Sequence, residues 1–419
     1  MKKIFLLMMM FLIIFSSVVL NGEEKKPGDI YAKETVVAGS KENFMMVRHV
    51  ILEGSNYEIG KKIAELAKKE GIKIFPLGEP IRNRVQRRYI KKNYPVFYER
   101  MKGAADAYGL NINNDSYNFS ILLQLLGNVS CSAVFYPPGF TESGHGILSR
   151  NYDFTTGNFQ GKPLQKGEVS PTARPIVFEI YPDQGYPSLF ICAYELLGGV
   201  VDGINSEGLT VAILGDEESM SKANPRMEQG SWGTGFHEFS AMRYLLDHCK
   251  DVSEAKEALL YLKHYYFSIP CHYIIADRYG NSFLFEFSPG RNRTFIIDGK
   301  GPQCITNHLV ANYKEIDSLP EGPRYDVYKM LFKAIGEQKI FPMDEIKRIS
   351  SRMSALLLNF ERPGFAPGRT LWHVIYDTEE RGLRVKFYLG ETRDPKDKKK
   401  IILKYSDYLH FRLKSPGKS

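Results

Sequence analysis

Residues 128–136 read NVSCSAVFY and residues 146–154 read GILSRNYDF, with the Pro-, Gly- and Ser-rich stretch PPGFTESGH between them. Two short runs of apolar, aromatic and β-branched residues around such a loop predict an antiparallel hairpin. A hairpin pivoting near residue 142 sets Cys131 opposite Asp153 and Ala133 opposite Asn151, and opposed residues hold their Cβ atoms about 4.5–5.5 Å apart. A slip of one residue would undo that match. Arg150 lies three residues before Asp153, so a regular strand points the two to opposite faces. Both reach Cys131 only where the strand twists, bulges or ends.

A thiol, a guanidinium and a carboxylate at one end of a hairpin make chemical sense together. The guanidinium of Arg150 favours the thiolate, which is the nucleophilic form, and the carboxylate of Asp153 orients the group that takes the proton. No histidine partner accompanies the cysteine: the nine histidines are dispersed, with neither HExxH nor a CGSCW-type signature. A base is nevertheless within reach if the chain is cut between Ser130 and Cys131. The α-amine so released has a reference pKa of about 7.7–8.0, suited to proton transfer near neutrality.

The rest of the 419-residue chain suits a globular enzyme, being 43% hydrophobic and 13% aromatic. It opens MKKIFLLMMMFLIIFSSVVLNGEE, two lysines ahead of an apolar run and small residues. That is the layout of a secretory signal peptide spanning 1–22, and it predicts a secreted or periplasmic protein; a retained anchor is the alternative, and the only membrane contact expected is through that segment. Five cysteines, an odd number without CxxC spacing, exclude a disulfide scaffold. Cys192, Cys249, Cys271 and Cys304 read as core residues. The net charge of +8 is spread out apart from Arg82 to Lys92 and Lys396 to Lys400. Both runs read as solvated faces, since no nucleic-acid module accompanies them.

From residue 23 to 130 the pattern is mostly helical. A polar stretch runs to about Gly39. Ser55 caps a helix to about Lys69 with Gly71 as its stop, a second region spans 81–108 with Pro95 breaking it, and a third runs from Asp115 to Leu126. From Cys131 to 419, strand pairs flank the turns Asp183 to Gly185, Asn205 to Gly208, Arg278 to Asn281 and Thr378 to Gly382. Helix pairs are expected at 236–249 with 253–265, and at 324–335 with 343–357. The result is an α+β architecture with helices packed over antiparallel sheets. Asn205 reads as a turn residue, His308 as structural, and the GSWGTGF loop around Trp232 as either a plain surface loop or a pocket border. Sequons stand at Asn114, Asn118, Asn128 and Asn292.

These residues carry a resemblance. Cys131-Ser-Ala followed by SRNYDF (149–154) resembles the nucleophile region of the N-terminal-nucleophile (Ntn) cysteine hydrolases, and more closely the acyl-coenzyme A:6-aminopenicillanic acid acyltransferase-like branch related to choloylglycine hydrolases. VRHVILEGSNYEIGKKIAEL before the nucleophile, then VVDGINSEGLTVAI, CITNHLV and PGRTLWHVIYDTEERGLRV after it, stand in the order expected of that branch, over about residues 45–390. The resemblance implies a four-layer αββα sandwich and a precursor that cuts itself before Cys131, its two chains staying associated. It implies Cys131 as nucleophile, Arg150 beside the thiol, Asp153 orienting the cysteine and Asn307 holding the oxyanion. Arg369 resembles the late arginine of the network, with Arg352 and Arg362 nearby. Gly215 stands where choloylglycine hydrolases carry an asparagine, which leaves a second oxyanion donor to the backbone. The implied activity is a thiol amidohydrolase or acyltransferase acting on linear amide bonds of a small acyl-amide, with no metal or organic cofactor. The alternatives are a lipid-directed relative cleaving ceramide-like amides or phospholipid esters, and an unprocessed binding protein.

Overall fold

A computed structural model describes residues 30–76, 79–122, 129–158, 160–193, 195–221, 234–266, 270–288, 293–357, 363–397 and 400–414. The signal segment, Trp232, Asn128, Asn292 and Arg362 lie outside the described residues. Two sheets dominate. The first has nine strands in the order β1-β2-β5-β6-β7-β8-β9-β10-β11. These are β1 (Tyr31–Gly39), β2 (Met46–Gly54), β5 (Ile176–Pro182), β6 (Ser188–Cys192), β7 (Asp202–Asn205), β8 (Thr210–Gly215), β9 (Cys271–Ala276), β10 (Ser282–Ser288) and β11 (Arg293–Asp298). The second runs β12-β3-β4-β13-β14-β15, with β16 also on β14. Its strands are β3 (Val129–Tyr136), β4 (Ile147–Thr155), β12 (Gln303–Ile305), β13 (Gly368–Asp377), β14 (Gly382–Arg393), β15 (Ile401–Tyr405) and β16 (Leu409–Arg412).

Helices close both outer faces. Over the first sheet lie α1 (Asn56–Lys69), α2 (Pro80–Asn93), α3 (Pro95–Ala107), α5 (Glu238–His248) and α6 (Val252–Tyr261), while α4 (Glu217–Ser221) follows β8. Over the second lie α7 (Pro323–Gly336) and α8 (Met343–Leu357). The order helix, sheet, sheet, helix is the αββα sandwich. Central strands such as β8 and β9 are buried along their whole length, because a sheet covers one face and a helix the other. The edge strand β1 is mostly exposed.

The local rules account for much of this. Ser55 accepts the Glu58 N–H at the start of α1, and Pro95 opens α3 where α2 has ended at Asn93. Asn205 braces the β7–β8 turn by accepting from the Glu207 and Leu209 N–H groups. Gly208 completes the turn at φ 84°.

Three expectations need correction. The residues before Cys131 also supply β1 and β2, and β2 joins the large sheet through a parallel ladder with β5, the one parallel pairing among the described strands. The expected third helix is absent over 115–122, where turns replace it. Asn118 there accepts from Ser120, and the Leu122 N–H goes to the Glu195 carboxylate rather than up a helix. Finally, the β3–β4 register is one residue away from the expected one: Cys131 pairs with Tyr152, Ala133 with Arg150 and Ser130 with Asp153. The loop from Pro137 to Gly146 is closed by Thr141, whose hydroxyl donates to the His145 carbonyl. It holds an even number of residues, so the pivot falls between residues and not on residue 142.

Candidate active site

The shifted register decides which side chains share a face with Cys131. Opposed residues point the same way, so Cys131, Tyr152, Ala133 and Arg150 all face the large sheet, whereas Asp153 faces the α8 layer. Arg150 is 1% exposed and bridges the two sheets. Its Nη2 lies 3.3 Å from Cys131 Sγ and 2.9 Å from the Ile213 carbonyl on β8. Its Nη1 lies 2.8 Å from Asp202 Oδ2 on β7. The guanidinium carbon sits 4.8 Å from the centre of the Tyr152 ring, which stacks on Trp372 at 3.8 Å. Asp202 is itself held by Tyr376 Oη at 2.5 Å and Trp372 Nε1 at 3.3 Å.

Asp202 was not among the residues expected at this site. The available signal was an acid inside VVDGI, an otherwise apolar strand. A carboxylate that is 0% exposed needs a cation, and Arg150 is that cation.

Asp153 contributes through both halves of the residue. Its backbone N–H favours the Cys131 thiolate, while its carboxylate opposes it. The carboxylate accepts from Thr370 Oγ1 at 2.6 Å, and Thr370 in turn lies 2.9 Å from Ser354 Oγ on α8. The β4–β13 ladder carries a bulge between Thr370 and Trp372, opposite Tyr152 and Asp153. The β3–β4 ladder itself runs without a shift, so Arg150 and Asp153 keep to opposite faces and the Asp153 carboxylate does not join Arg150 beside the thiol.

Asn307, just beyond β12, is fixed at both ends of its amide. Its Oδ1 accepts the Cys131 backbone N–H at 2.6 Å, and its Nδ2 donates to the Gly215 carbonyl at 2.7 Å. Both partners are backbone groups of known polarity, so the amide has only one satisfactory orientation. In this uncut chain the donor expected to meet an oxyanion is therefore directed at Gly215. Arg369 stands apart. It pairs with Glu391 at 2.6 Å near the start of β13, one residue from Thr370.

Burial dominates the ionisation of the group. It pushes the Cys131 thiol up to about 12 despite the pull of Arg150, with Asp153 and Asp202 adding to the rise. It pushes the Asp153 carboxyl up to about 7 against the Thr370 hydrogen bond and Arg150. Cys131 is 2% exposed. Among the described residues no His, Cys, Asp and Glu cluster could hold a metal ion, and no helix is long and apolar enough to cross a membrane.

A face-to-face sandwich with a cysteine early in a central strand beside a buried arginine is the arrangement that the resemblance to Ntn hydrolases led one to expect. Residues 140–394 match the family model of acyl-coenzyme A:6-aminopenicillanic acid acyl-transferase, and the chain belongs to that family. It is accordingly an enzyme of the Ntn amidohydrolase and acyltransferase group, acting on amides. The match includes Arg150, Asp153, Asn307 and Arg369 and begins after Cys131. No curated protein matches the chain. Among solved structures, a mutant conjugated bile acid hydrolase from Clostridium perfringens is 14% identical, covering 68% of this chain and 97% of its own at a TM-score of 0.41. Penicillin V acylase from Agrobacterium tumefaciens is 16% identical, covering 61% and 83% at a TM-score of 0.37.

Proposed function

We propose that the protein is an exported, self-processing thiol enzyme that cuts or transfers the acyl group of small linear amides through an acyl-enzyme on Cys131. The observation that carries this reading is the double hold on Cys131: its sulfur faces Arg150 Nη2 at 3.3 Å, and its backbone nitrogen faces Asn307 Oδ1 at 2.6 Å. That nitrogen is the atom that cutting between Ser130 and Cys131 would turn into an α-amine. The proposed base is thus already seated beside the nucleophile before it exists.

Cutting proceeds by attack of the Cys131 sulfur on the Ser130 carbonyl carbon. The C–N bond breaks, the nitrogen leaves as the amine after gaining a proton, and a thioester links the two chains. Water then attacks the thioester, giving a carboxylate at Ser130 and regenerating the thiol. A buried thiol near 12 carries almost no thiolate at neutral pH, so turnover needs a local base, and the amine with its reference pKa of about 7.7–8.0 supplies one.

In turnover the amine takes the thiol proton and the sulfur attacks the substrate carbonyl. The leaving amine carries that proton away, and water or an acceptor amine resolves the acyl-enzyme. Asn307 Nδ2, turning from the Gly215 carbonyl, is the donor proposed for the oxyanion, with Arg150 holding the thiolate. Asp153 and Thr370 fix the strand end. The segments 23–130 and 131–419 stay together because the first contributes β1 and β2 to the large sheet.

Intact mass and N-terminal sequencing of the purified protein test this reading. Two chains are expected, the second beginning at Cys131, and Cys131→Ala should leave one chain without amidase activity. A Cys131→Ala protein that still turned over amides would refute the mechanism.

A further inference from the structure

We propose that His272 acts as a buried imidazolium that, together with Glu286, positions Asn307 for the chemistry at Cys131; the role of Asn307 rests on the function proposed above. His272 lies on β9, is 0% exposed, and pairs directly with Glu286 on β10. Its Nε2 lies 2.6 Å from the Thr306 carbonyl, and its Nδ1 lies 3.3 Å from Glu286 Oε1. A carbonyl can only accept. Glu286 is committed as an acceptor too, taking the Val310 N–H on Oε1 at 2.7 Å and the Ala311 N–H on Oε2 at 2.9 Å. A neutral imidazole has one donor and one acceptor nitrogen, so neither tautomer satisfies both neighbours. The imidazolium, with two donors, does.

The electrostatic surroundings agree. Facing His272 are Glu286 from β10, Asp216 from the segment after β8, and His308 from the loop after β12. Burial pulls His272 down, yet Glu286, Asp216 and the Thr306 carbonyl together hold it above the ordinary imidazole value. Burial and the His272 charge push His308 down to about 4, so the neighbouring ring stays neutral. Beyond His308, Glu218 on α4 accepts from the Leu309 N–H at 3.3 Å and from Asn312 Nδ2 at 2.9 Å.

The consequence for the site is mechanical. The turn from Thr306 to Ala311 carries Asn307 and pairs with no strand. The imidazolium grips the carbonyl at its start, and the carboxylate grips two N–H groups at its end. One ion pair therefore clamps both ends of the loop, while the Asn307 side chain spans Cys131 N on β3 and the Gly215 carbonyl on β8. Loss of the charge would leave one donor for two acceptors, so the grip on either Thr306 or Glu286 is lost and Asn307 can drift from Cys131. A misplacement of about 1 Å near reacting atoms can cost on the order of a hundredfold in rate.

Two measurements test this. In full-length Cys131→Ala protein carrying ¹⁵N-labelled histidine, the His272 ring, assigned by its loss in a Cys131→Ala/His272→Gln protein, should show both nitrogens protonated at pH 7.5. A neutral ring there overturns the proposal. Then the rate of chain cutting before Cys131 is followed in freshly synthesised wild type, His272→Gln and Glu286→Gln. Both variants should cut roughly tenfold or more slowly. Wild-type cutting should fall at alkaline pH as the imidazolium loses its proton, and His272→Gln should lack that fall. The thiol cannot mimic this limb, because its ionisation raises the rate with pH. Variants that cut at the wild-type rate with the wild-type pH profile would overturn the positioning role alone. A wild type that never cuts would instead sink the function proposed above, and the ring spectrum would still decide the charge. Should His272→Gln fail to fold, Glu286→Gln carries the kinetic arm.

Discussion

Among the described residues, two guanidinium–carboxylate groups are buried on both partners, and they serve different ends. In one, Asp247 on α5 takes Arg100 of α3 at 2.8 and 3.1 Å and Arg243 of its own helix at 2.8 Å. Tyr94 also bonds to Asp247, Asn56 Oδ1 accepts from Arg100 at 2.7 Å, and Ser188 Oγ accepts from Arg243 at 2.8 Å. Together these bonds tie α1, α3, α5 and β6 to one another. In the other, Arg150 and Asp202 are as deeply buried, yet the guanidinium keeps one nitrogen on the sulfur of Cys131. Burial and charge are common to frame and site. What marks the site is an end of the cation left facing a group that can react.

Substitution of the two arginines is the sharpest way to break that contrast. Arg150→Met should lower turnover and self-cutting on the order of 10²–10³-fold, the scale seen when one charge-stabilising donor is removed. Arg100→Met should lower stability and leave the folded fraction turning over at nearly the wild-type rate. Steady-state kinetics beside denaturant melts would read both, and an Arg100→Met enzyme as inactive as Arg150→Met would erase the distinction.

The two aspartates sharpen it further. Asp247→Asn leaves two buried guanidiniums short of a counter-charge, which should cost about 3–5 kcal/mol. Burial pushes Asp247 up, but Arg100 and Arg243 hold its carboxyl below the ordinary value. Its stabilisation is therefore present above the unfolded pKa, about 3.9, and disappears as pH falls through the still lower folded value. Asp202→Asn should cost similarly in stability and also slow the reaction by roughly tenfold, because Arg150 loses the partner that aims it. A melt and a rate for each variant separate the cases: a rate loss for Asp247→Asn in folded protein would contradict the frame assignment.

How far the sequence carried this contrast varies from one element to the next. The hairpins after Cys131 were legible because strands of alternating or continuous apolar residues flank polar turns. The α2–α3 break was legible because Pro95 cannot continue a helix. Strand β1 was not, since an exposed edge strand such as YAKETVVAG lacks the apolar face that betrays a strand, and its pairing with β2 and the parallel β2–β5 ladder are non-local. The stretch 115–122 looked helical because it leads into the apolar run after Phe119, but Asn118 and Glu195 capture its backbone donors. At the site, Cys131, Arg150 and Asn307 come together, whereas Asp153 turns to the other face and Arg369 is taken by Glu391. A loop of even rather than odd length moved the register by one residue, and spacing alone could not foresee that. Asp202 lies far from Arg150 in sequence, so only the rule that buried charges come in pairs pointed to it.

The smallest effect falls on the strand end that both arrangements leave half-shared, where Thr370 donates to Asp153. The Asp153 carboxyl stands near 7 because burial raises it, against an unfolded value of about 3.9. Its folded pKa is raised, so this group favours the native state as pH falls from 7 toward 4 and opposes it above 7. In the proposed mechanism Asp153 acts by fixing the strand end, where the ionised carboxylate accepts the Thr370 hydroxyl, and this predicts an acidic limb in the rate near pH 7. Thr370→Val removes a hydrogen bond that favours the carboxylate. A bond to a charged group is worth about 1.5–3 kcal/mol and one pKa unit about 1.36, so the limb should move upward by about one unit or somewhat more. The rate above the limb should stay within about twofold of wild type, because Cys131, Arg150 and Asn307 keep their contacts. A limb that did not move in a pH series on Thr370→Val would mean that it reports another group, and Asp153 would then belong to the frame, alongside Asp247.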